Sequence, residues 1–182
     1  KKKYDKMPAA LFVNGNSMDN IREGKCFETE KEKQVAACVF GNGPKNELLL
    51  GKGVYKQYGI GENGFNVSSC QFSIHYFFEK KESLHGFLRN IAECTKLGGH
   101  FIATGYDGDK VFKLLKNNKN GEPYTIMKNG KKIFEITKRY DETSLPDDHL
   151  SLNYPIDVYQ ESINKTFREY LVNFNYLIRL LE

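Results

Sequence analysis

The sequence predicts an α/β fold built around a parallel strand-helix-strand crossover, and three observations carry that prediction. Phe65 to Phe72 is a short strand-like run, Ser83 to Leu97 sets Leu84, Phe87, Leu88, Ile91 and Ala92 on one helical face, and His100 to Gly105 is a second short apolar strand. Gly98-Gly99 is the expected stop of the helix. Strand, helix and strand at this spacing give two parallel strands, which folds of this kind cover on both faces. The chain, 182 residues long, suits a single domain with a real core.

The other elements follow along the chain. Ala9 to Val13 reads as a buried strand running into the polar loop Asn14 to Ser17. Residues 28–64 are charged and then glycine-rich, and read as a loop-rich insertion. Within them Gly59-Ile60-Gly61-Glu62-Asn63-Gly64 has the letters of a dinucleotide fingerprint, but it precedes a strand instead of opening a helix, so it reads as a connection. Val111 to Lys116 is helical, and two strand-like runs flank Asn129-Gly130, a strong hairpin signal. Ile156 to Ser162 alternates as a strand, so 120–162 is expected as an antiparallel excursion. From Thr166, the residues Phe167, Tyr170, Leu171, Phe174, Leu177, Ile178 and Leu181 recur at helical spacing.

Composition narrows the function. With 40% hydrophobic and 27% charged residues the chain is neither disordered nor collagenous. No apolar run approaches the roughly 18 residues of a bilayer span, and Lys1 to Lys6 has no signal-peptide core, so no membrane partner is expected. A net charge of +4 permits an RNA partner without demanding one. Cys26, Cys38, Cys70 and Cys94 form no C-x-x-C pair and have no histidine at zinc spacing, so no metal is expected and the thiols read as reduced, which suits an intracellular compartment.

The densest polar and aromatic cluster is Gln71 to Glu79, just past a strand end, where open α/β sheets place ligands. Two readings fit it: a packed corner with a structural His75, or a pocket for a planar ligand with faces from Phe72 and Tyr76 and a hydrogen bond from His75. No Ser-His-Asp or Cys-His arrangement accompanies it.

The segment Phe65-Asn66-Val67-Ser68-Ser69-Cys70-Gln71-Phe72-Ser73-Ile74-His75-Tyr76-Phe77-Phe78-Glu79 resembles the F-D-x-x-S-C-Q-F-x-x-H-Y-x-F-E signature of eukaryotic and viral mRNA cap guanine-N7 methyltransferases. Three further stretches agree in order. Asn16-Ser17 resembles that family's D-S adenine-binding turn, Gly98 to Thr104 its G-G-x-F-I-x-T strand, and Glu169 to Phe174 its E-[FY]-L-V-x-F helix start. Asp107-Gly108-Asp109-Lys110 is similar to the D-G-D-K of poxvirus and giant-virus capping enzymes. The family's glycine-rich first motif has no counterpart in the sequence, and Asn16 stands where the family has aspartate, able to accept a hydrogen bond but uncharged.

The resemblance implies a Rossmann-like class I S-adenosylmethionine-dependent methyltransferase fold with its N-terminal glycine-rich part missing from this chain. It implies methyl transfer from S-adenosylmethionine to N7 of a cap guanosine, with no metal and no side-chain nucleophile. Glu169, His75, Phe72, Tyr76 and Tyr106 are the implied cap-guanine residues, and Asn16, Ser17 and Gln71 the implied cofactor residues. The implied partners are a capped RNA 5′ end and, in a viral capping enzyme, linked triphosphatase and guanylyltransferase modules. The implied location is host cytoplasm or virion for a viral protein and nucleus for a cellular one. A non-catalytic stimulatory or cap-binding subunit retaining the fold stays open as an alternative.

Overall fold

The computed structural model describes residues 10–182. Its first helix, α1 (Glu30–Val39), opens on a capping box in which Thr29 accepts from the Glu32 amide while the Glu32 carboxylate accepts from the Thr29 amide and hydroxyl. Two single-turn helices follow, α2 (Glu47–Leu50) and α3 (Lys52–Tyr55), the first capped by Asn46. Residues 28–64, expected as loop-rich, are therefore more helical than the sequence suggested. The Gly59-Gly64 stretch bonds back to the end of α1 through the amides of Gly59 and Gly61 and leads into a strand, as the connection reading expects.

That strand, β1 (Phe65–Gln71), is followed by a 3₁₀ turn over Ile74–Glu79, helix α4 (Lys81–Cys94) and strand β2 (Thr95–Thr104). β1 and β2 pair in parallel, from Val67 against His100 to Gln71 against Thr104. The crossover is thus as predicted, but α4 ends three residues before Leu97. Gly98 and Gly99 do not stop it; they lie in an irregular stretch of β2 where the register shifts, Gly98 at φ 77°. Cys70, Phe101 and Ala103 turn into a core with Ile74, Phe77, Phe78, Leu84 and Phe87. Phe87 stacks on Phe77 at 3.9 Å and meets Phe101 edge-on. Each such fully buried side chain contributes roughly 1.5–3 kcal/mol. Val67 and Ile102, on the opposite side of the strands, are half-exposed, so the expected cover on both faces is realised on one, because the described residues supply one packed layer.

Helix α5 (Gly108–Leu114) starts under an Asp107 cap. Strands β3 (Pro123–Lys128), β4 (Lys131–Lys138), β5 (Pro155–Gln160) and β6 (Lys165–Tyr170) then form an antiparallel sheet in chain order. The β3–β4 turn is the predicted Asn129-Gly130, both at positive φ (51° and 75°) as a type I′ turn requires. The antiparallel part extends past 162 to Tyr170. Residues 165–170, expected to begin a helix, are a strand because β5 offers them a full ladder from Gln160 to Pro155. The helix, α6 (Phe174–Leu181), begins after Asn173, whose side chain accepts from the Tyr176 amide.

Leu171 and Val172 seam the two halves. Leu171 lies in the core under the antiparallel sheet, with Val111, Leu115, Ile136 and Ile156, whereas Val172 lies in the core around α4. Val172 also bridges to Asp107, and its carbonyl accepts from the Gly108 amide at 3.0 Å. A Cβ on Gly108 would fall 2.5 Å from that carbonyl oxygen, so glycine is what lets the end of β2 and the end of β6 run side by side.

The strand expected over Ala9–Val13 is not formed. Ala9 lies outside the described residues, and Ala10–Val13 have no pairing partner among the described strands. A strand needs a neighbour for its backbone groups, and Phe12 is 94% exposed. The four cysteines are free, and Cys26, Cys38 and Cys94 are buried. No helix among the described residues is long and apolar enough to cross a membrane.

Candidate functional site

The carboxyl ends of β1 and β2 and the core-facing side of the antiparallel sheet enclose a cavity of about 560 Å³. Phe72, His75 and Tyr76 come from the segment after β1, Gly105 and Tyr106 from the segment after β2, and Phe134, Gln160, Phe167 and Glu169 from β4, β5 and β6. All five residues expected at a guanine site, Phe72, His75, Tyr76, Tyr106 and Glu169, therefore line one slot.

The local chain conformation explains how. Phe72 is held at φ 51°, unfavourable for a bulky side chain, while its amide donates to both the carbonyl and the hydroxyl of Thr104. That reversal turns the chain off β1 into the 3₁₀ turn, where Ile74, Phe77 and Phe78 are buried in the core and His75 and Tyr76 turn to the slot. The His75 and Tyr76 rings meet edge-on at 4.3 Å. On the sheet side, the period-two alternation of β6 puts Phe167 and Glu169 on one face. Across from them the Gln160 amide donates to the Tyr106 hydroxyl at 2.7 Å.

His75 Nδ1 lies 3.6 Å from Glu169 Oε2. The residues are only 5% and 7% exposed, yet neither ring nitrogen of His75 nor Glu169 Oε2 has a hydrogen-bond partner. Buried polar atoms are normally satisfied, so an unpaired donor-acceptor set facing a cavity calls for a ligand. Burial pushes the Glu169 carboxyl up to about 7 and the His75 imidazole down to about 4. Burial, and then the Glu169 carboxylate, also raise the phenols of Tyr76 and Tyr106. The slot thus offers an acceptor beside a neutral imidazole between aromatic walls, an arrangement suited to the polar edge of a planar heterocycle.

A second cavity, of about 430 Å³, runs along β1 beside α4 and is lined by Ser17, Gln71, Ser68 and Ser69 with Phe87, Ile91 and Phe101. Ser17 and Gln71, expected at a cofactor, share it. Asn16 instead lines a neighbouring hollow with Asp19, Lys25 and Glu32, and its side chain closes a local turn by accepting from the Met18 amide at 3.1 Å. Gln71 is bonded to Thr104 and Ser69. The size, the apolar wall and the hydroxyls fit an adenosyl group, but no carboxylate lines this cavity, so the described residues supply only part of such a site.

Sequence reasoning missed several residues. Phe134, Gln160 and Phe167 complete the slot; reading β6 as a strand, with Phe167 two residues before Glu169, would have found the last. Asn90 of α4 was missed as well. Its amide donates to the carbonyls of Ser17 and Asp19, both at 2.8 Å, and its carbonyl accepts from the Ile21 amide at 3.0 Å, fixing the 16–21 turn to the helix. Gly86 lets that turn approach, since a Cβ there would lie 1.9 Å from the Met18 carbonyl oxygen.

Two parallel strands joined by a helix, with a cavity beyond their carboxyl ends, are consistent with the α/β class of S-adenosylmethionine-dependent methyltransferases. Residues 22–182 match the family described as the mRNA (guanine-N(7))-methyltransferase domain, and the chain belongs to that family. It is 29% identical over 187 residues to a probable mRNA-capping enzyme of Acanthamoeba polyphaga mimivirus, an alignment covering 100% of this chain and 14% of that protein. It is 32% identical over 118 residues to an mRNA cap guanine-N(7) methyltransferase of Caenorhabditis briggsae, covering 65% of this chain and 29% of that protein. A Drosophila melanogaster protein of the same name is 45% identical over 51 residues, which are 28% of this chain and 12% of that protein. The chain thus spans less than a third of the length of each of these relatives.

Proposed function

We propose that this chain is the cap-reading part of an mRNA cap (guanine-N7) methyltransferase, and that it works as a module of a viral mRNA capping enzyme. The observation that carries this reading is the His75–Glu169 pair, buried and without partners at the back of an aromatic slot. On the Watson–Crick edge of guanine the O6 acceptor is adjacent to the N1–H and N2–H₂ donors. An imidazole N–H and a carboxylate 3.6 Å apart match two neighbouring groups on that edge. Adenine presents a donor and an unprotonated nitrogen at the same places, so it leaves the carboxylate unpaired.

In this reading Glu169 accepts from N1–H and N2–H, charge-assisted bonds worth about 1.5–3 kcal/mol each. His75, neutral at physiological pH, donates to O6. Phe72, Tyr76 and Phe167 hold the base plane, stacking at roughly 1–3 kcal/mol per base. Guanine N7 has a lone pair and no proton to lose, so these side chains have only to orient it and exclude water, and no general base is needed. S-adenosylmethionine supplies the sulfonium methyl when bound. In this reading Ser17 and Gln71, which line the second cavity, would contact its adenosyl part. Family membership favours an enzyme over a non-catalytic subunit. The name of the mimivirus relative and the small share of it that this chain covers support a place in a longer capping enzyme, for which triphosphatase and guanylyltransferase modules are the proposed partners, and free thiols support an intracellular setting.

The test is methyl transfer by the full-length protein from S-adenosylmethionine to capped RNA, followed by nuclease digestion to the cap nucleotide. The expected product is 7-methylguanosine, and Glu169→Ala should lower kcat/KM by about 100-fold or more. A full-length protein that methylates no guanine cap, or a Glu169→Ala variant with undiminished activity, would overturn the reading.

A further inference from the structure

One end of the antiparallel sheet carries charges that the slot itself does not use. Phe134 pairs with Gln160, and both line the slot, so the slot lies toward the β5–β6 turn. The Asn129-Gly130 turn is at that same end. At about 3.3 Å per residue, Lys131 sits about 10 Å further along β4 than Phe134. Lys128 and Lys131 stand directly opposite each other across the hairpin, and Lys165 stands opposite Gln160. All three are exposed and have no carboxylate partner among the described residues, whereas the neighbouring Lys132 is bonded to Glu135 and lies over the Tyr159 ring. Residues 110–139 carry eight lysines and Arg139, of which Lys110 pairs with Asp107, Lys132 with Glu135 and Arg139 with Asp157, while Glu161 in the β5–β6 turn is an acidic residue at this end of the sheet.

Opposed like charges destabilise a hairpin, and an Asn-Gly turn forms without lysines at its flanks. Lysines do protect edge strands from self-pairing, which is a sufficient role for Lys128 on β3 and for Lys165 on β6, the two edges of the sheet. Lys131, on the interior strand β4, has no such role. Unpaired ammonium groups beside a purine slot attract phosphates, and single-stranded RNA is bound by such basic tracks. From this placement, and resting on the cap reading of the slot, we infer that Lys128, Lys131 and Lys165 form a phosphate-binding rim for the RNA backbone behind the cap. The rim takes the chain by charge and not by sequence, so it raises affinity for a long capped transcript without touching the reacting guanine.

The test uses the full-length protein and the triple variant K128Q/K131Q/K165Q. Fluorescence anisotropy measures binding of a capped RNA and of the same RNA with an uncapped 5′ triphosphate, and competition measures the dinucleotide cap GpppG. The variant should bind both RNAs about tenfold more weakly, with a salt dependence shallower by about 2 in log–log slope. GpppG binding should stay within about twofold of wild type, and the melting temperature should hold or rise once the opposed lysines are gone. Unchanged RNA binding, with or without new self-association of the variant, overturns the inference. Equal weakening of GpppG also overturns it, because the lysines would then hold the triphosphate bridge and not the RNA backbone. Wild-type protein that binds RNA through the rim but neither prefers nor methylates a cap would sustain the rim and sink the cap reading.

Discussion

His75 Nδ1 and Glu169 Oε2 face each other across 3.6 Å at the closed end of the slot, each without a hydrogen-bond partner. Only one protonation state of this pair can read guanine. Glu169 must be ionised to accept two donors, and burial holds its pKa at about 7, while His75 stays neutral down to about 4. Cap affinity should therefore fall as pH drops through 7, by about tenfold per unit below it. Calorimetric titration of GpppG across that range should give a log affinity rising with unit slope to a plateau on the alkaline side. A flat profile would mean that Glu169 is not the acceptor.

The same burial has a stability consequence of opposite sign. Between 4.5 and about 7 the folded protein keeps a proton on Glu169 that the unfolded chain has lost, so this residue's contribution to stability declines as pH rises through that window. Glu169→Gln removes the buried charge. It should stabilise the protein by up to about 3 kcal/mol near pH 8 and by progressively less toward pH 5. His75 acts in reverse, since its lowered pKa costs stability as pH falls below 6.5. Urea unfolding of E169Q at both pH values checks the sign, and a more stable but cap-blind variant is the expected outcome.

Phe72 separates strain from function. Its side chain is 73% exposed and its backbone sits at φ 51°. Phe72→Gly should therefore lose little packing and relieve strain of about 1 kcal/mol. Losing the aromatic face should nevertheless weaken GpppG binding about tenfold. A thermal melt and a binding isotherm on the same preparation distinguish the two effects.

On the cofactor side, the 16–21 turn depends on Asn90 and Gly86. Asn90→Ala would remove three part-buried hydrogen bonds that hold the carbonyls of Ser17 and Asp19 and the amide of Ile21, at a cost of about 1–3 kcal/mol. Gly86→Ala would push the Met18 carbonyl off α4 and should cost about 1–3 kcal/mol. Denaturant midpoints measure both. A Gly86→Ala protein as stable as wild type would show that the turn does not pack on the helix.

The parts of this fold legible in the sequence are those whose local chemistry decides them. The crossover shows in strand and helix periodicity, and the β3–β4 hairpin in Asn129-Gly130. Phe65 to Glu79 also delivered the slot side of β1, with Phe72, His75 and Tyr76 placed together. What was misread depends on partners distant in the chain. Phe167, Tyr170 and Leu171 fit a helical repeat, yet Lys165–Tyr170 is a strand because β5 lies alongside it, and the helix waits for the Asn173 cap. The Thr29–Glu32 capping box is a local sign of α1 that sits within a charged and then glycine-rich stretch. Asn16 and Ser17, adjacent in sequence, open onto different cavities, and the Asn16 side chain is taken up by the Met18 amide.

The central claim is that Glu169, with His75 beside it, selects guanine. The most direct measurement is competition between GpppG and ApppA for the full-length protein and its Glu169→Ala variant under one set of conditions. Wild type should prefer the guanine cap by about 100-fold or more, and the variant should lose most of that preference. Equal affinity for the two dinucleotides in wild type, or an undiminished preference in the variant, would contradict that claim.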